Sequence, residues 1–276
     1  MITAAQEREF YDAQYRQFLA LPDHALRLDR AVLEGNLADP ANPFFERRLL
    51  YRASMRALEA EPLPGKRVLD YGCGPADFGL WMATEGAEVT LLDLSPLAIE
   101  LGLRRAKASG VTRRVKGIAA DASKLDMFAD GAFDLVFACA SLHHTLKYPG
   151  AREELARVMR PGARLVLCET WGGSPLLNLA RKWRASAEDE QEEQGEDIIL
   201  SREELKLLTP YFQEIEVEHL NLLAMGKRLL RGRLTRPAGR RLLGALEAAD
   251  RFILAAIPAL RNWCGEAVIT ARRRSQ

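Results

Sequence analysis

From residue 66 onward, the apolar positions fall into short β-rich runs near 67–71, 88–93, 114–119, 133–138 and 163–169. Between them lie stretches whose apolar residues repeat at helical spacing. Runs of this length, bounded by glycine and polar turns, read as buried strands. Their alternation with helices implies βαβ units, and hence an α/β, doubly wound parallel sheet with ligand sites at the carboxyl ends of its strands. Upstream, residues 5–60 read as helices, broken near Pro22 and again at the Asp39-Pro40-Ala41-Asn42-Pro43 turn. Downstream of Glu169 the alternation stops. Trp171-Gly172-Gly173-Ser174-Pro175 opens a loop, Leu176 to Ala185 reads as a short basic helix, and residues 186–197 are strongly acidic, predicting a mobile, lid-like stretch. Ser201-Arg202-Glu203-Glu204 has the form of a capping box opening a helix to Leu208. A sixth strand is expected over 214–222 and the last over 266–271. The long connection between them is dense in lysine and arginine from Lys227 to Arg241, and then reads as an apolar helix from Leu242 to Trp263, interrupted by Pro258.

Composition narrows this picture. A chain of 276 residues with 48% hydrophobic content can bury one large domain, or one domain with an appendage. A net charge of +1 gives no general attraction to nucleic acid, although the charge is unevenly placed. The four cysteines, Cys73, Cys139, Cys168 and Cys264, are widely spaced and lie within or beside expected strands. That pattern suits a reducing cytoplasm better than a zinc site or a disulfide framework. Residues 1–9 lack the apolar core of a secretory signal, and no apolar stretch is long enough to span a bilayer, so a cytoplasmic setting is expected.

Candidate chemistry concentrates in Val68-Leu69-Asp70-Tyr71-Gly72-Cys73-Gly74-Pro75-Ala76, followed by Asp93 at the end of the next apolar run. A strand feeding a glycine turn brings backbone N–H groups against a nucleoside ligand, and an acidic residue about 20 positions on accepts from ribose hydroxyls. The dinucleotide fingerprint needs a glycine where this chain has Asp77, and the polar Asp70 before the turn suits cationic groups better than a pyrophosphate.

The segment Asp70-Tyr71-Gly72-Cys73-Gly74-Pro75 resembles the first motif of class I S-adenosylmethionine-dependent methyltransferases. Further matches follow in family order: Gly117-Ile118-Ala119-Ala120-Asp121-Ala122, then Phe133-Asp134-Leu135-Val136-Phe137-Ala138 with Ser141-Leu142-His143-His144, then Glu154 to Gly162 leading into Ala163 to Glu169. Ala76 and Ala163 stand where many relatives carry glycine. The resemblance implies a Rossmann-like, seven-stranded sheet with an N-terminal helical cap over 1–62 and a core over 63–276. Beyond it, this chain's own residues predict a lid-like segment at 171–200 and, where a simple family member has a short connection, a helical insertion at 225–262 expected to form the acceptor pocket. The resemblance also implies S-adenosyl-L-methionine as cofactor and S-adenosylhomocysteine as product. Asp70, Gly72, Cys73 and Gly74 would shape the methionine end, Asp93 with Leu94 would hold the ribose, Asp121 and Ala122 would meet adenine, and the backbone after Ala138 would flank the sulfonium.

Methyl transfer from a sulfonium is an in-line displacement from an already activated group, so alignment and exclusion of water matter more than a universal catalytic residue. His143 and His144 are the candidates for proton removal from a hydroxyl or enol, with packing of the cofactor loop as the other reading. Glu169 is either a base or substrate contact, or a loop tether. Phe10, Tyr11, Tyr15 and Phe18 share a helical face that is either core or, through Tyr11 and Tyr15, a cofactor contact. The basic stretch holding Lys227, Arg228, Arg231, Arg233, Arg236, Arg240 and Arg241 is a solvated face, a partner for the acidic segment, or a recognition surface for a phosphate-bearing or membrane-surface substrate. The expected acceptor is a small molecule or an amphipathic, lipid-linked intermediate methylated on oxygen or carbon. No nucleic-acid partner is expected, and peripheral membrane contact and oligomerisation stay open. A nucleic-acid or protein methyltransferase, or a non-catalytic S-adenosylmethionine-binding partner subunit, are the alternatives.

Overall fold

The computed structural model describes residues 4–146, 148, 150–188 and 199–275. Four helices precede the sheet: α1 (Ala4–Leu19), α2 (Asp23–Leu26), α3 (Arg30–Ala38) and α4 (Arg48–Leu58), with a 3₁₀ turn at Pro43–Phe45. Their boundaries follow local chemistry. The Asp29 side chain accepts from the Val32 N–H to cap α3, and Asn42 accepts from the Phe44 N–H to start the 3₁₀ turn.

The core runs β1 (Arg67–Tyr71), α5 (Asp77–Thr84), β2 (Glu88–Asp93), α6 (Pro96–Ala108), β3 (Val115–Ala119) and β4 (Phe133–Cys139). It continues through α7 (Leu142–Thr145), α8 (Ala151–Val158) and β5 (Met159–Thr170). After these come α9 (Pro175–Glu188), α10 (Arg202–Lys206), β6 (Phe212–Leu220), a 3₁₀ stretch at Leu223–Leu230, α11 (Pro237–Ala256), a 3₁₀ stretch at Pro258–Trp263 and β7 (Glu266–Arg273). The strands form one seven-stranded sheet in the order β3-β2-β1-β4-β5-β7-β6. Pairing is parallel from β3 to β5, and β7 enters antiparallel between β5 and β6. Both faces are covered by apolar clusters, one around Val68, Trp81, Leu91 and Phe137, the other around Leu69, Leu92, Val136 and Phe212. The strand order reverses between β1 and β4, which opens the crevice for ligands at their carboxyl ends.

Several boundaries move from the sequence reading: β6 runs Phe212–Leu220 rather than 214–222, the helix opened by the capping box ends at Lys206 rather than Leu208, and three further corrections follow. First, β5 begins at Met159, because Arg160-Pro161-Gly162 joins the sheet through an irregularity in which Phe133 pairs with Met159 but Leu135 with Arg164. Second, α11 begins at Pro237, inside the basic stretch, since proline at the first helical position has no N–H to leave unpaired. Third, the acidic run only partly continues α9, and residues 189–197 of it lie outside the described residues. The capping box stands as read, with Glu204 accepting from the Ser201 backbone N–H. Among the described residues, no helix is long and apolar enough to cross a membrane.

The antiparallel entry of β7 decides where the connection from β6 goes. Glu266, the first residue of β7, lies opposite Thr170 at the carboxyl end of β5, so residues 221–265 emerge on the ligand side of the sheet. A buried ion pair fixes them there. Lys227, read from sequence as part of a basic surface, is 2% exposed and places Nζ 2.8 Å from both Glu266 carboxylate oxygens, with Asn221 donating to the same carboxylate. Burial opposes ionisation of Glu266, yet Lys227, Arg47 and Asn221 hold its carboxyl below the usual range. Asp250, buried on α11, accepts from the backbone N–H groups of Leu222, Leu223 and Ala224 and so ties that helix to the same segment.

Lys227→Met should strand the Glu266 carboxylate in the interior and lower stability by about 3–5 kcal/mol. Adding Glu266→Gln should recover much of that loss. Urea denaturation of the single and double variants measures both, and equal loss in the two would mean that the pair is not what anchors the segment.

Candidate active site

Gly72 and Gly74 turn the chain out of β1 with positive φ, 66° and 51°. At Gly72, a Cβ would stand 2.4 Å from the Ser141 Cβ, so only glycine lets the β1 and β4 loops close on each other there. Ala76, where the family resemblance expects glycine, adopts the same left-handed region at φ 61°, at a cost of about 1–2 kcal/mol for a residue with a side chain. The loop therefore keeps a glycine-like path without the glycine. Asp93 braces it from the next strand: Oδ2 accepts from the Gly74 N–H at 2.8 Å and Oδ1 from the Ser95 N–H at 2.9 Å. Cys73 adds a backbone bond to the Leu92 carbonyl.

These loops line a cavity of about 480 Å³. Tyr11, Tyr15, Asp70, Gly72, Cys73, Gly74, Asp93, Leu94, Asp121 and Ala122, all expected from sequence, lie on its wall. Tyr15 comes from α1 and sits over the glycine loop, its hydroxyl 3.2 Å from where a Gly74 Cβ would be. Asp121 is fixed by the Ser123 N–H at 2.8 Å, and the Ala122 carbonyl accepts from the Tyr71 hydroxyl at 2.7 Å.

Electrostatics divide the cavity. Asp70 is 3% exposed; burial, with Asp93 and Asp77 nearby, pushes its carboxyl well above the usual range against the pull of the neighbouring Gly79 N–H. Burial also raises Asp93, with Asp12 adding to it and the N–H groups of Ser95 and Gly74 opposing. This end holds ionisable carboxylates and suits a ligand with cationic and hydroxyl groups. The far wall is basic and aromatic, contributed by Phe44, Arg47, Tyr51, Arg181, Arg228 and Arg231.

Some expected residues lie elsewhere. Ala138 itself is buried in the sheet core, and the backbone after it is what lines the cavity, through Cys139, Ala140 and Ser141, with the strand running one residue beyond the expected end. Glu169 does not face the mouth. It is 1% exposed, with Oε2 2.8 Å from His143 Nδ1 and Oε1 accepting from the Leu142 N–H at 3.2 Å, which is the tether reading. His143 is buried with it, and of the two histidines only His144 lines the cavity, its ring 4.2 Å from that of His143. The basic stretch splits as well: Lys227 is core, Arg228 and Arg231 reach the cavity, and Arg233, Arg236 and Arg241 are exposed. Arg47, Tyr51, Ser141 and Arg181 escaped the sequence reading. Arg47 and Tyr51 sit in an arginine-rich helical region with no local mark of a site.

A family model described as a methyltransferase domain matches residues 69–167. The chain is 37% identical over 122 residues to the demethylmenaquinone methyltransferase of Mycolicibacterium gilvum (strain PYR-GCK), covering 44% of this chain and 49% of that protein. It is 36% identical over 180 residues to methyltransferase GfsG of Streptomyces halstedii, covering 60% of this chain and 62% of that one. The chain thus spans about half the length of the demethylmenaquinone relatives it matches. In fold it is similar to a geranyl diphosphate methyltransferase solved with GPP and sinefungin, at a TM-score of 0.54 and 19% identity, over 82% of this chain and 78% of that one.

The raised carboxyl of Asp70 has a measurable consequence. Its folded-state pKa lies above the unfolded value, so the penalty for ionising it is absent at low pH, grows as pH rises and levels off above the folded-state pKa. Asp70→Asn keeps an acceptor for Gly79 and removes the charge. The ligand-free variant should therefore gain stability over the parent as pH rises from about 4 to about 8, read by urea denaturation at each pH. A difference that stays flat across that range would contradict the assignment.

Proposed function

We propose, starting from the class I S-adenosylmethionine-dependent methyltransferase domain at residues 69–167, that the chain transfers a methyl group to a small-molecule acceptor, on oxygen or carbon. The observation that carries this reading is a single cavity whose lining joins a carboxylate-braced glycine cradle, a histidine from the loop after β4, and a set of basic and aromatic side chains. The names of the demethylmenaquinone methyltransferase relatives support a small-molecule acceptor.

S-adenosylmethionine, when bound, supplies a methyl group on a sulfonium that leaves as a neutral thioether. The residues present fit it. Asp93 presents a carboxylate whose position is set by two backbone N–H groups, leaving lone pairs for ribose hydroxyls. Asp121 and Ala122 offer an acceptor side chain and backbone toward an adenine edge. Gly72 and Gly74 leave room for the methionine end, and the Tyr11 and Tyr15 rings give it an aromatic cover suited to a cation. The described parts of the cap, of the segment after β5 and of the 225–262 insertion shape the acceptor side and exclude water from it.

In this reading His144, which lines the cavity, takes the proton from an acceptor hydroxyl or enol. His143, hydrogen-bonded to Glu169, positions the loop that carries it.

In this reading Asp93→Ala weakens S-adenosylhomocysteine binding by about 1.5–3 kcal/mol, roughly 10- to 100-fold, in a calorimetric titration. His144→Ala leaves that affinity intact while kcat falls roughly 100-fold. Unchanged affinity in a folded Asp93→Ala variant would remove the nucleoside end of the proposal, and unchanged kcat in His144→Ala would remove the base.

A further inference from the structure

The basic recess contains a cation whose local carboxylates are already committed. Arg47 stands at the junction of the Pro43–Phe45 turn and α4, its backbone held by an N–H bond to the Phe44 carbonyl and by the Tyr51 N–H on its own carbonyl. Its side chain is partly buried and lines the cavity beside Tyr51. Among the described residues it has no hydrogen-bond or ion-pair partner, whereas both chain neighbours do: Glu46 pairs with Arg231 at 3.1 Å, and Arg48 with Glu247 at 2.6 Å. The other carboxylate near enough to influence it is Glu266, and both Glu266 oxygens are engaged by Lys227. Arg47 and Lys227 thus face one carboxylate, and only Lys227 is hydrogen-bonded to it, which leaves the Arg47 guanidinium with its donors unspent at this wall.

A guanidinium removed from water without an anion is unfavourable, and its attraction for one strengthens as the surroundings become less polar. Its planar fork matches the two oxygens of a carboxylate or phosphate. Around it, Phe44, Tyr51 and Phe78 form a chain of edge-to-face rings at 5.1 Å and 5.3 Å, an apolar wall for the body of a ligand. Arg228 and Arg231 line the same cavity, Arg231 already paired with Glu46, and Asp70 and Asp93 line it from the ends of β1 and β2.

We propose that this recess binds an oxyanion carried by the acceptor, a carboxylate or a phosphate, with Arg47 as its principal contact and the Phe44–Tyr51 wall holding an attached apolar group. The proposal rests on the methyl-transfer reading for what the bound molecule is, but not for whether an anion binds. It moves acceptor recognition from the basic stretch of the sequence to a residue of the helical cap.

The experiment is a thermal-melting titration of the full chain with benzoate, phenyl phosphate and the neutral analogue benzamide, run with and without saturating S-adenosylhomocysteine. In the parent, benzoate or phenyl phosphate should raise Tm and benzamide should not. The stronger of the two anions identifies carboxylate or phosphate as the preferred group. Arg47→Met should weaken the anion by roughly ten-fold or more, as loss of a charge-assisted bidentate contact requires, and Arg47→Lys should fall between. Both variants should bind S-adenosylhomocysteine as the parent does, which also shows that they are folded. Equal responses to benzoate, phenyl phosphate and benzamide, or undiminished anion binding by Arg47→Met, overturns the proposal. Failure of the parent to bind S-adenosylhomocysteine while anions still bind through Arg47 would overturn the methyl-transfer reading and leave the anion site standing.

Discussion

Everything at the ligand end of this sheet hangs on a carboxylate that accepts from the backbone of two loops at once. Asp93 closes β2 and takes the N–H of Gly74 from the loop after β1 and the N–H of Ser95 from the turn into α6. Parallel strands end with their loops side by side but not bonded to each other, and a short acidic side chain is what can bridge them. Through that bridge the glycine path is fixed, Ser95 is set to cap α6, and Tyr15 has a surface to pack over. The burial that makes the brace rigid also makes the charge uncomfortable, so the same group that organises the loop is primed to meet a hydroxyl donor.

The cavity is consequently bipolar. Acidic groups gather at the end built by β1, β2 and the loop after β3, where the ladder is parallel. Basic groups gather at the end built by the helical cap and by the segments that follow β5. A molecule spanning the two finds hydroxyl and cation acceptors at one end and a cation at the other, which orients it before any chemistry takes place. His144 lines the same cavity, its ring packed on His143, which Glu169 holds in turn.

Much of this was legible in the sequence, because the signals are local. Strand runs, glycine turns, the capping box and the carboxylates at strand ends each depend on a few neighbouring residues, and the resemblance put them in order. What was not legible is tertiary. Whether Glu169 faces a cavity or a histidine depends on how α7 settles on β5, and nothing in the residues around it says so. Lys227 reads as one more charge in a basic run, and only its pairing with Glu266, far along the chain on the reversed strand, turns it inward. Arg47 is the converse case: in a run containing Glu46, Arg47 and Arg48, sequence gives no way to tell which charge is spent on a neighbour and which looks into the site.

The reversal of β7 carries a consequence for how such a chain can change over time. Because that strand returns antiparallel, both ends of the 221–265 connection sit at the ligand rim, beside the carboxyl end of β5. Variation in its length or composition therefore alters one wall of the cavity without disturbing the ladder or the Asp93 brace. The cap positions that reach the cavity, Tyr11, Tyr15, Phe44, Arg47 and Tyr51, can vary in the same sense so long as Leu33, Leu37, Leu50 and Leu58 go on covering the sheet. A lineage can then retune what it accepts by drift in two peripheral segments, with the nucleoside end inherited intact, so descent should be easiest to trace in the middle of the chain and hardest at its flanks.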